Sequence, residues 1–408
     1  SACSRASSTK SNGWMPDGRP VFDPMPPRPY VLFRDDLHAR STLFAEPREI
    51  LIATSGPELE HALERLEEAR SQGFWSAGYL SYEAGYHFDP ALADLIGGAL
   101  STPLLCFGIF DAPVDERDHP ETIRPGSGGK ASLGDFSPDW DFATYEDRFS
   151  RLHRHLMQGD IYQANLTFPI RARWEGDPLA LFDALTARQP VRYGACVELD
   201  GPAIVSRSPE LFFRVDEDGF IETHPMKGTA PRREDPAADL LEVELLRTSE
   251  KTLAENRMIV DLLRNDISRI SRTGTLHEPS LFEVETYPTL HQMISRVRAR
   301  LLPGRSVRDI LAALFPCGSI TGAPKISAMR ILRELEQVPR EAYCGAIGFI
   351  SPGGTMRFSV AIRTLSLFDD GRAVFNVGGG IVLDSEARAE YDEALLKARF
   401  AGATLSAF

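Results

Sequence analysis

Apolar residues in the first third of the chain recur at helical spacing. Leu59, Ala62, Leu63, Leu66 and Ala69 share one face, which predicts a helix over 58–72 stopped by Gly73. Apolar runs at 77–82 and 104–110 predict strands, so 30–110 reads as a small α/β layer. Residues 112–139, rich in Pro, Gly, Asp and Ser, read as a connector. The GSGGK inside it, 126–130, lacks both the upstream glycine and the following Ser or Thr of a phosphate loop. From Asp141 the pattern becomes dense. Phe142, Tyr145, Phe149, Leu152 and Leu156 mark a helix ended by Gly159. Strands are predicted at about 161–173, 194–199, 203–208, 211–215 and 220–225, followed by one long helical stretch over 236–268. After a mixed segment come helices near 306–315 and 322–337, strands near 344–350, 355–367 and 372–382, and a last helix near 386–401. Strands and helices arrive in blocks rather than in strict βαβ alternation. That order predicts an α+β fold with largely antiparallel sheets.

Composition narrows the functional classes. The chain has 408 residues and a net charge of −13, which argues against a nucleic-acid footprint and against a basic membrane-binding patch. An anionic substrate stays compatible with that balance, with a divalent cation as a natural bridge. No apolar run reaches the ~18 residues of a membrane helix. Residues 1–28 read as a flexible arm without the apolar core of a signal peptide. The five cysteines are scattered and form no CxxC pair, which predicts reduced thiols in a cytoplasmic protein and no zinc site.

Several segments hold candidate chemistry. Glu386, Glu390 and Glu393 lie at i, i+4 and i+7 of the last helix, with Tyr391, Ala394, Leu395 and Ala398 opposite. A carboxylate stripe is usually a solvated face. Here it follows Gly378, Gly379 and Gly380, which let backbone N–H groups approach an anion closely. An anion cradle beside carboxylates suits a carboxylate substrate bridged by Mg²⁺, a hard ion that takes one or two protein carboxylates and keeps waters. Glu255 shares a helix face with Ile259 and Leu262, so it is either at the rim of the core or a ligand. Cys317–Lys325 reads as a Gly-rich loop feeding a helix N-terminus, with Pro324 in its first turn. In Pro225-Met226-Lys227-Gly228-Thr229 a lysine sits on stiff, non-helical backbone. Its ordinary reading is a solvated residue on a hairpin loop, and its chemical reading is a nucleophile with a lowered pKa.

The segments PMKGTAPR, AENRMIVDLLRND, CGSITGAPKISAMRIL, YCGAIGF, AIRT and GGGIVLDSEARAEYDEALLKA occur in this order. Together, over about 140–402, they resemble the chorismate-utilising enzymes. The resemblance implies two large, mainly antiparallel β-sheets packed together and flanked by helices, with the site in a cleft between them. It divides the chain into the arm, an N-terminal portion over 29–140, and a chorismate-binding catalytic portion over 141–408, the last two expected to form one unit. It implies Glu255 and Glu393 as Mg²⁺ ligands with Glu390 beside the metal, and Gly378, Gly379 and Gly380 as the cradle for a substrate carboxylate. Arg363 and Tyr343 match side chains that hold substrate carboxylates, and an arginine fork suits that task. Gly228, Thr229 and Thr321 match contacts to the ring or hydroxyl side, Lys325 matches a lysine of unassigned role, and His291 matches a histidine near the reacting ring.

Two positions select the branch. Relatives that add water at C2 carry a base lysine where this chain has Gln163, and glutamine cannot deprotonate water. Anthranilate-forming relatives typically carry alanine where this chain has Lys227. The resemblance therefore points to the aminodeoxychorismate-forming branch, to which GYLSYEAGYHF is also similar. It implies Mg²⁺-dependent amination of chorismate at C4, a transfer of the 2.6.1.85 class that leads towards p-aminobenzoate and folate. Glu210 is the implied general acid and Lys227 the implied covalent nucleophile. Ammonia would come from a separate glutamine amidotransferase subunit. An anthranilate synthase large subunit and a non-catalytic chorismate- or amino-acid-binding homologue remain the alternatives.

Overall fold

A computed structural model describes residues 28–114, 129–287 and 290–403. In chain order its elements are β1 (Tyr30–Asp35), β2 (Arg40–Ala45), β3 (Glu49–Ala53), α1 (Gly56–Ser71), β4 (Trp75–Leu80), β5 (Leu105–Phe110), β6 (Ala131–Pro138), α2 (Phe142–Gln158), β7 (Gln163–Gly176), α3 (Pro178–Arg188), β8 (Tyr193–Glu198), β9 (Ala203–Ser208), β10 (Leu211–Val215), β11 (Phe220–Thr223) and β12 (Met226–Pro231). There follow α4 (Pro236–Thr248), α5 (Glu250–Ser268), β13 (His277–Thr286), β14 (Leu290–Arg300), α6 (Val307–Leu314), α7 (Gly318–Thr321), β15 (Gly322–Ala323), α8 (Lys325–Glu336), β16 (Ala346–Ile350), β17 (Met356–Val360), β18 (Thr364–Leu367), β19 (Arg372–Ile381) and α9 (Ala387–Lys397).

Among the described residues the strands form two antiparallel sheets. The first runs β15-β7-β19-β18-β9-β8-β1-β2, with β6 also on β7. The second runs β12-β14-β11-β10-β17-β16-β4-β5-β3, with β13 also on β14. The N-terminal portion supplies strands to both: β1 pairs with β8, and β4 with β16. Between the sheets Val31, Phe33, Phe44, Ala77, Tyr79, Cys106, Phe110, Val197, Ile204 and Ile347 form a buried seam. Helices α1, α5 and α6 cover the second sheet, and α2, α3, α8 and α9 cover the first. Fully buried Tyr30, Phe107, Phe168 and Phe213 show how far aromatic side chains fill these layers.

The helices follow their sequence signals. Helix α1 begins at a Ser55–Glu58 capping box, and α2 begins at Asp141, whose side chain accepts from Thr144 N, and ends at left-handed Gly159. Other expectations are corrected. The stretch 236–268 is two helices, broken at Ser249, which caps α5 by accepting from Thr252 N. The mixed segment is the β13–β14 hairpin, and part of the expected connector is β6. The expected strand over 355–367 is two strands in different sheets. Pro324 is the N-cap of α8, one position before its first turn. All of the expected arm over 1–28 except Arg28, and most of GSGGK, lie outside the described residues.

The chain crosses between the sheets twice at neighbouring points. From β9 to β10 it passes through Pro209 and Glu210; from β17 to β18 it passes through 361–363, with Arg363 in the left-handed region at φ 52°. The crossings are tied together: Arg207 N donates to Arg363 O at 2.9 Å and Val360 N to Glu210 O at 3.1 Å. Two charged side chains are thereby set at one place in the cleft.

Candidate active site

Lys227 lies on an edge strand, which corrects the expected loop. Strand β12 pairs with β14, and the register slips between Met226 and Thr229, with Gly228 at φ 83°. Such a bulge bends a strand and re-aims a side chain. Across the cleft, β19 runs against β7 with Gly378 opposite Thr167 and Gly380 opposite Asn165. Strand β18 pairs with β19 only at Ala373 and Val374, so the glycine stretch of β19 has no described strand on its other side. The two sheets converge at Gly380: a Cβ there would stand 3.0 Å from both Lys227 Nζ and Gln163 Nε2. Gln163 is fully buried, and neither of its amide atoms has a hydrogen-bond partner.

The charges around this point are coupled. Burial pushes the Lys227 ammonium below the usual lysine range, Lys397 adds to the effect, and Glu255, Glu210 and Glu393 oppose it. Burial raises Glu210 to about 7 against the Ser319 hydrogen bond and the charges of Lys227 and Arg363. Ser319 Oγ donates to Glu210 Oε1 at 2.7 Å, and both residues are buried. Arg363 is lowered to about 10 by burial, with Glu210 and Tyr343 opposing. Among the described residues no hydrogen bond or ion pair engages its guanidinium, leaving the fork open for an anion. Tyr343 is buried on the turn before β16, its phenol held well above its ordinary range by burial.

The acidic stripe projects from α9 beside β19. Glu390 accepts from Ser385 Oγ at 2.7 Å, and burial together with neighbouring Glu393 raises its pKa. Burial also acts to raise Glu393, but Lys397 at 2.9 Å, with Lys227 and Lys251, outweighs it and the net shift is downward. Lys397 also donates to Gly378 O at 2.8 Å. Glu255 on α5 lies 3.9 Å from Lys251. Among the described residues no three His, Cys, Asp or Glu side chains already sit at metal-binding spacing. The donor set nevertheless fits a hard cation held by one or two carboxylates and water, because Glu390 and Glu393 on α9 and Glu255 on α5 offer oxygen ligands, with the Lys251 and Lys397 ammoniums standing where such a cation's charge would be.

The remaining expected residues have other polar partners. Both nitrogens of buried His291 are engaged, Nδ1 with Thr286 Oγ1 and Nε2 with Asp239 Oδ1, each at 2.9 Å. Thr321 Oγ1 donates to Cys317 O at 3.1 Å, and Thr229 Oγ1 to Gln292 Oε1 at 3.0 Å. Lys325 Nζ donates to Asp266 Oδ2 at 2.7 Å and Leu314 O at 2.9 Å, joining α8, α5 and α6. Sequence reasoning missed Lys397 and Lys251, although each stands four residues from a singled-out glutamate on the same helix face. It also missed Ser319 as the partner of Glu210.

A family model described as chorismate binding enzyme matches residues 29–402. The chain belongs to that family. Among relatives, aminodeoxychorismate synthase component 1 of Escherichia coli K12 is 37% identical over 335 residues, covering 78% of this chain and 73% of the relative. The protein of the same name from Klebsiella aerogenes is 45% identical over 249 residues, covering 61% of this chain and 55% of that relative. The match thus spans little more than half the length of the Klebsiella protein. Among solved structures, anthranilate synthase component I from Streptococcus pneumoniae superposes with a TM-score of 0.75 at 26% identity, covering 92% of each chain. The two packed antiparallel sheets expected from the sequence are therefore the fold of this family. No described helix is long and apolar enough to cross a membrane.

Proposed function

We propose that this protein replaces the C4 hydroxyl of chorismate with an amino group, using ammonia and Mg²⁺, as an aminodeoxychorismate synthase component I acting in the cytoplasm on the route to p-aminobenzoate and folate. The observation that supports this most is the meeting of Lys227 Nζ and Gln163 at Gly380, with buried Glu210 in the same electrostatic field. A buried carboxyl with a pKa near 7 is poised to give a proton to a poor leaving group at neutral pH. A lysine whose ammonium is disfavoured by burial is poised to attack carbon.

In this reading the open edge of β19 and the unpaired Arg363 fork orient the substrate carboxylates, with Tyr343 beside them. Glu255 and Glu393 would hold Mg²⁺, with Glu390 next to them; the ion would neutralise carboxylate charge and draw electron density from the ring. Glu210 gives its proton to the C4 oxygen, which leaves as water while Lys227 Nζ forms a bond to C2 and the ring double bonds shift. Ammonia then bonds to C4, the Nζ–C2 bond breaks, and a proton returns to Glu210. Gln163 offers amide groups but no base, which disfavours water addition. Ammonia is supplied by a separate glutamine amidotransferase subunit.

The test is product identity by mass from chorismate, Mg²⁺ and ammonium. Aminodeoxychorismate is the expected product. Fluorescent anthranilate formed without an added lyase would overturn the reading in favour of an anthranilate synthase, and absence of turnover would favour a binding protein.

A further inference from the structure

Strand β7 has a gap on its side away from the glycines. Strand β15 pairs with β7 at Gln163 and Ala164, and β6 pairs with it from Ile170 onward. No described strand faces 165–169 on that side, although these residues hold Gly378–Gly380 on the other. A buried ion pair fills the gap. Arg340 Nη2 donates to Asn165 O at 2.6 Å, and Glu336 Oε1 accepts from Thr167 N and Thr167 Oγ1, each at 2.9 Å. Arg340 and Glu336 are joined by two hydrogen bonds, 2.9 Å and 2.7 Å, and both are at most 5% exposed.

The same guanidinium reaches one other wall of the cleft, and the backbone at Arg340 holds a second. Arg340 Nη1 donates to Ile320 O at 2.9 Å, next in the chain to Ser319, the partner of Glu210. The backbone N–H groups of Arg340 and Glu341 donate to buried Glu83 at 2.7 Å and 3.0 Å, fixing the turn that presents Tyr343. The guanidinium also lies over the Tyr82 ring, 4.6 Å from its centroid.

We propose that Arg340, paired with Glu336, is a positioning residue: its guanidinium substitutes for a missing strand on β7 and holds the glycine strand and the Ser319–Ile320 wall in one geometry. Its effect on catalysis rests on the amination reading. A fork with donors in several fixed directions can hold four acceptors at once, whereas a lysine ammonium cannot reproduce that planar arrangement. Misplacing a site wall by about 1 Å can reduce turnover on the order of 10²-fold.

The test compares Arg340→Lys, Arg340→Met and Glu336→Gln in the full chain, by amide hydrogen exchange and by kinetics with chorismate, Mg²⁺ and ammonium. In Arg340→Lys we expect Thr167 and Gly378–Gly380 to exchange at least about 10-fold faster while β4 and β8 keep their protection. We expect kcat to fall at least about 10-fold, and its alkaline limb to move upward as Ser319 loosens from Glu210. Glu336→Gln keeps an acceptor for Thr167 N but leaves the Arg340 guanidinium buried without its countercharge, so it should also speed exchange at Thr167, and parent-like exchange there would count against the pairing. Unchanged local exchange in Arg340→Lys, or a kcat loss matched by the unfolded fraction with the pH limb in place, overturns the proposal. So does failure of both Arg340 variants to fold, which would make the residue a folding determinant only. A parent protein inactive on chorismate overturns the amination reading instead, and the exchange measurement alone then decides the role of Arg340.

Discussion

Alanine placed in turn at Gly378, Gly379 and Gly380 should give three different outcomes, because the three added methyl groups meet three kinds of neighbour. At 378 a Cβ would stand 2.2 Å from Leu166 O and 2.8 Å from Thr167 Cα, both backbone atoms. Strands β7 and β19 must part there, and overpacking together with weakened ladder bonds costs about 2–4 kcal/mol. For a chain of this length that lowers Tm by about 2–5 °C. At 379 the nearest atoms are Glu390 Oε2 at 3.1 Å and Lys397 Nζ at 3.6 Å, the tips of flexible side chains. They can turn aside, so the stability change should stay within about 0.5 kcal/mol. At 380 the methyl group takes the point where Lys227 and Gln163 meet, 3.0 Å from each nitrogen. Gly380→Ala should melt close to the parent temperature and lose about 10²-fold in kcat/KM for amination. Calorimetry on all three variants and initial rates with chorismate, Mg²⁺ and ammonium separate the outcomes. The reasoning is refuted if Gly378→Ala melts no lower than Gly379→Ala, or if Gly380→Ala keeps more than half of the parent rate.

Lys227→Ala should lose most C4 amination while still binding chorismate with Mg²⁺, measured by calorimetric titration; full turnover would remove the covalent step. Glu210→Gln should reduce kcat by about 10²–10⁴-fold with its melting curve intact. With Glu210 as the proposed general acid, its acid form is the active one and kcat should fall as pH rises through about 7. Ser319→Ala removes a hydrogen bond that lowers that pKa, so the falling limb should move to higher pH, and a downward move would contradict the assignment. Lys325→Met leaves Asp266 buried without its ion-pair partner and should cost about 3–5 kcal/mol in urea unfolding, with an unchanged midpoint counting against a structural role.

The sequence disclosed those parts of the molecule whose signals are local. Periodicity and caps placed α1 and α2 to within two residues, because an apolar stripe and its stop signal lie on consecutive turns. The β13–β14 hairpin was hidden because His277–Thr286 is half-exposed and interleaves Glu278, Glu283 and Glu285 with apolar residues. The break at Ser249 was hidden because the segments on either side are both good helix formers, and only the capping bond to Thr252 N separates them. In the site, the glycine run and the Glu390–Glu393 pair were legible from spacing, whereas Glu386, expected on the same helix face, is the exposed, extended N-cap residue of α9. The pairings of Lys325 with Asp266 and of Ser319 with Glu210 were not, since each joins residues more than 50 positions apart.

The bulge in β12 bears on how readily such a site changes its chemistry. Met226 aligns with Ile294 and Thr229 with Gln292, so three steps along β12 match two along β14. One residue is supernumerary, and Lys227 and Gly228 fall in the interval where the ladder makes no paired demand. A substitution at 227 leaves the register on both sides as it was, so the scaffold does not vote on the identity of that side chain. On the proposed role of Lys227, selection can try a lysine, an alanine or another residue there against the substrate alone, and a switch between sibling reactions would need no renegotiation with the sheet.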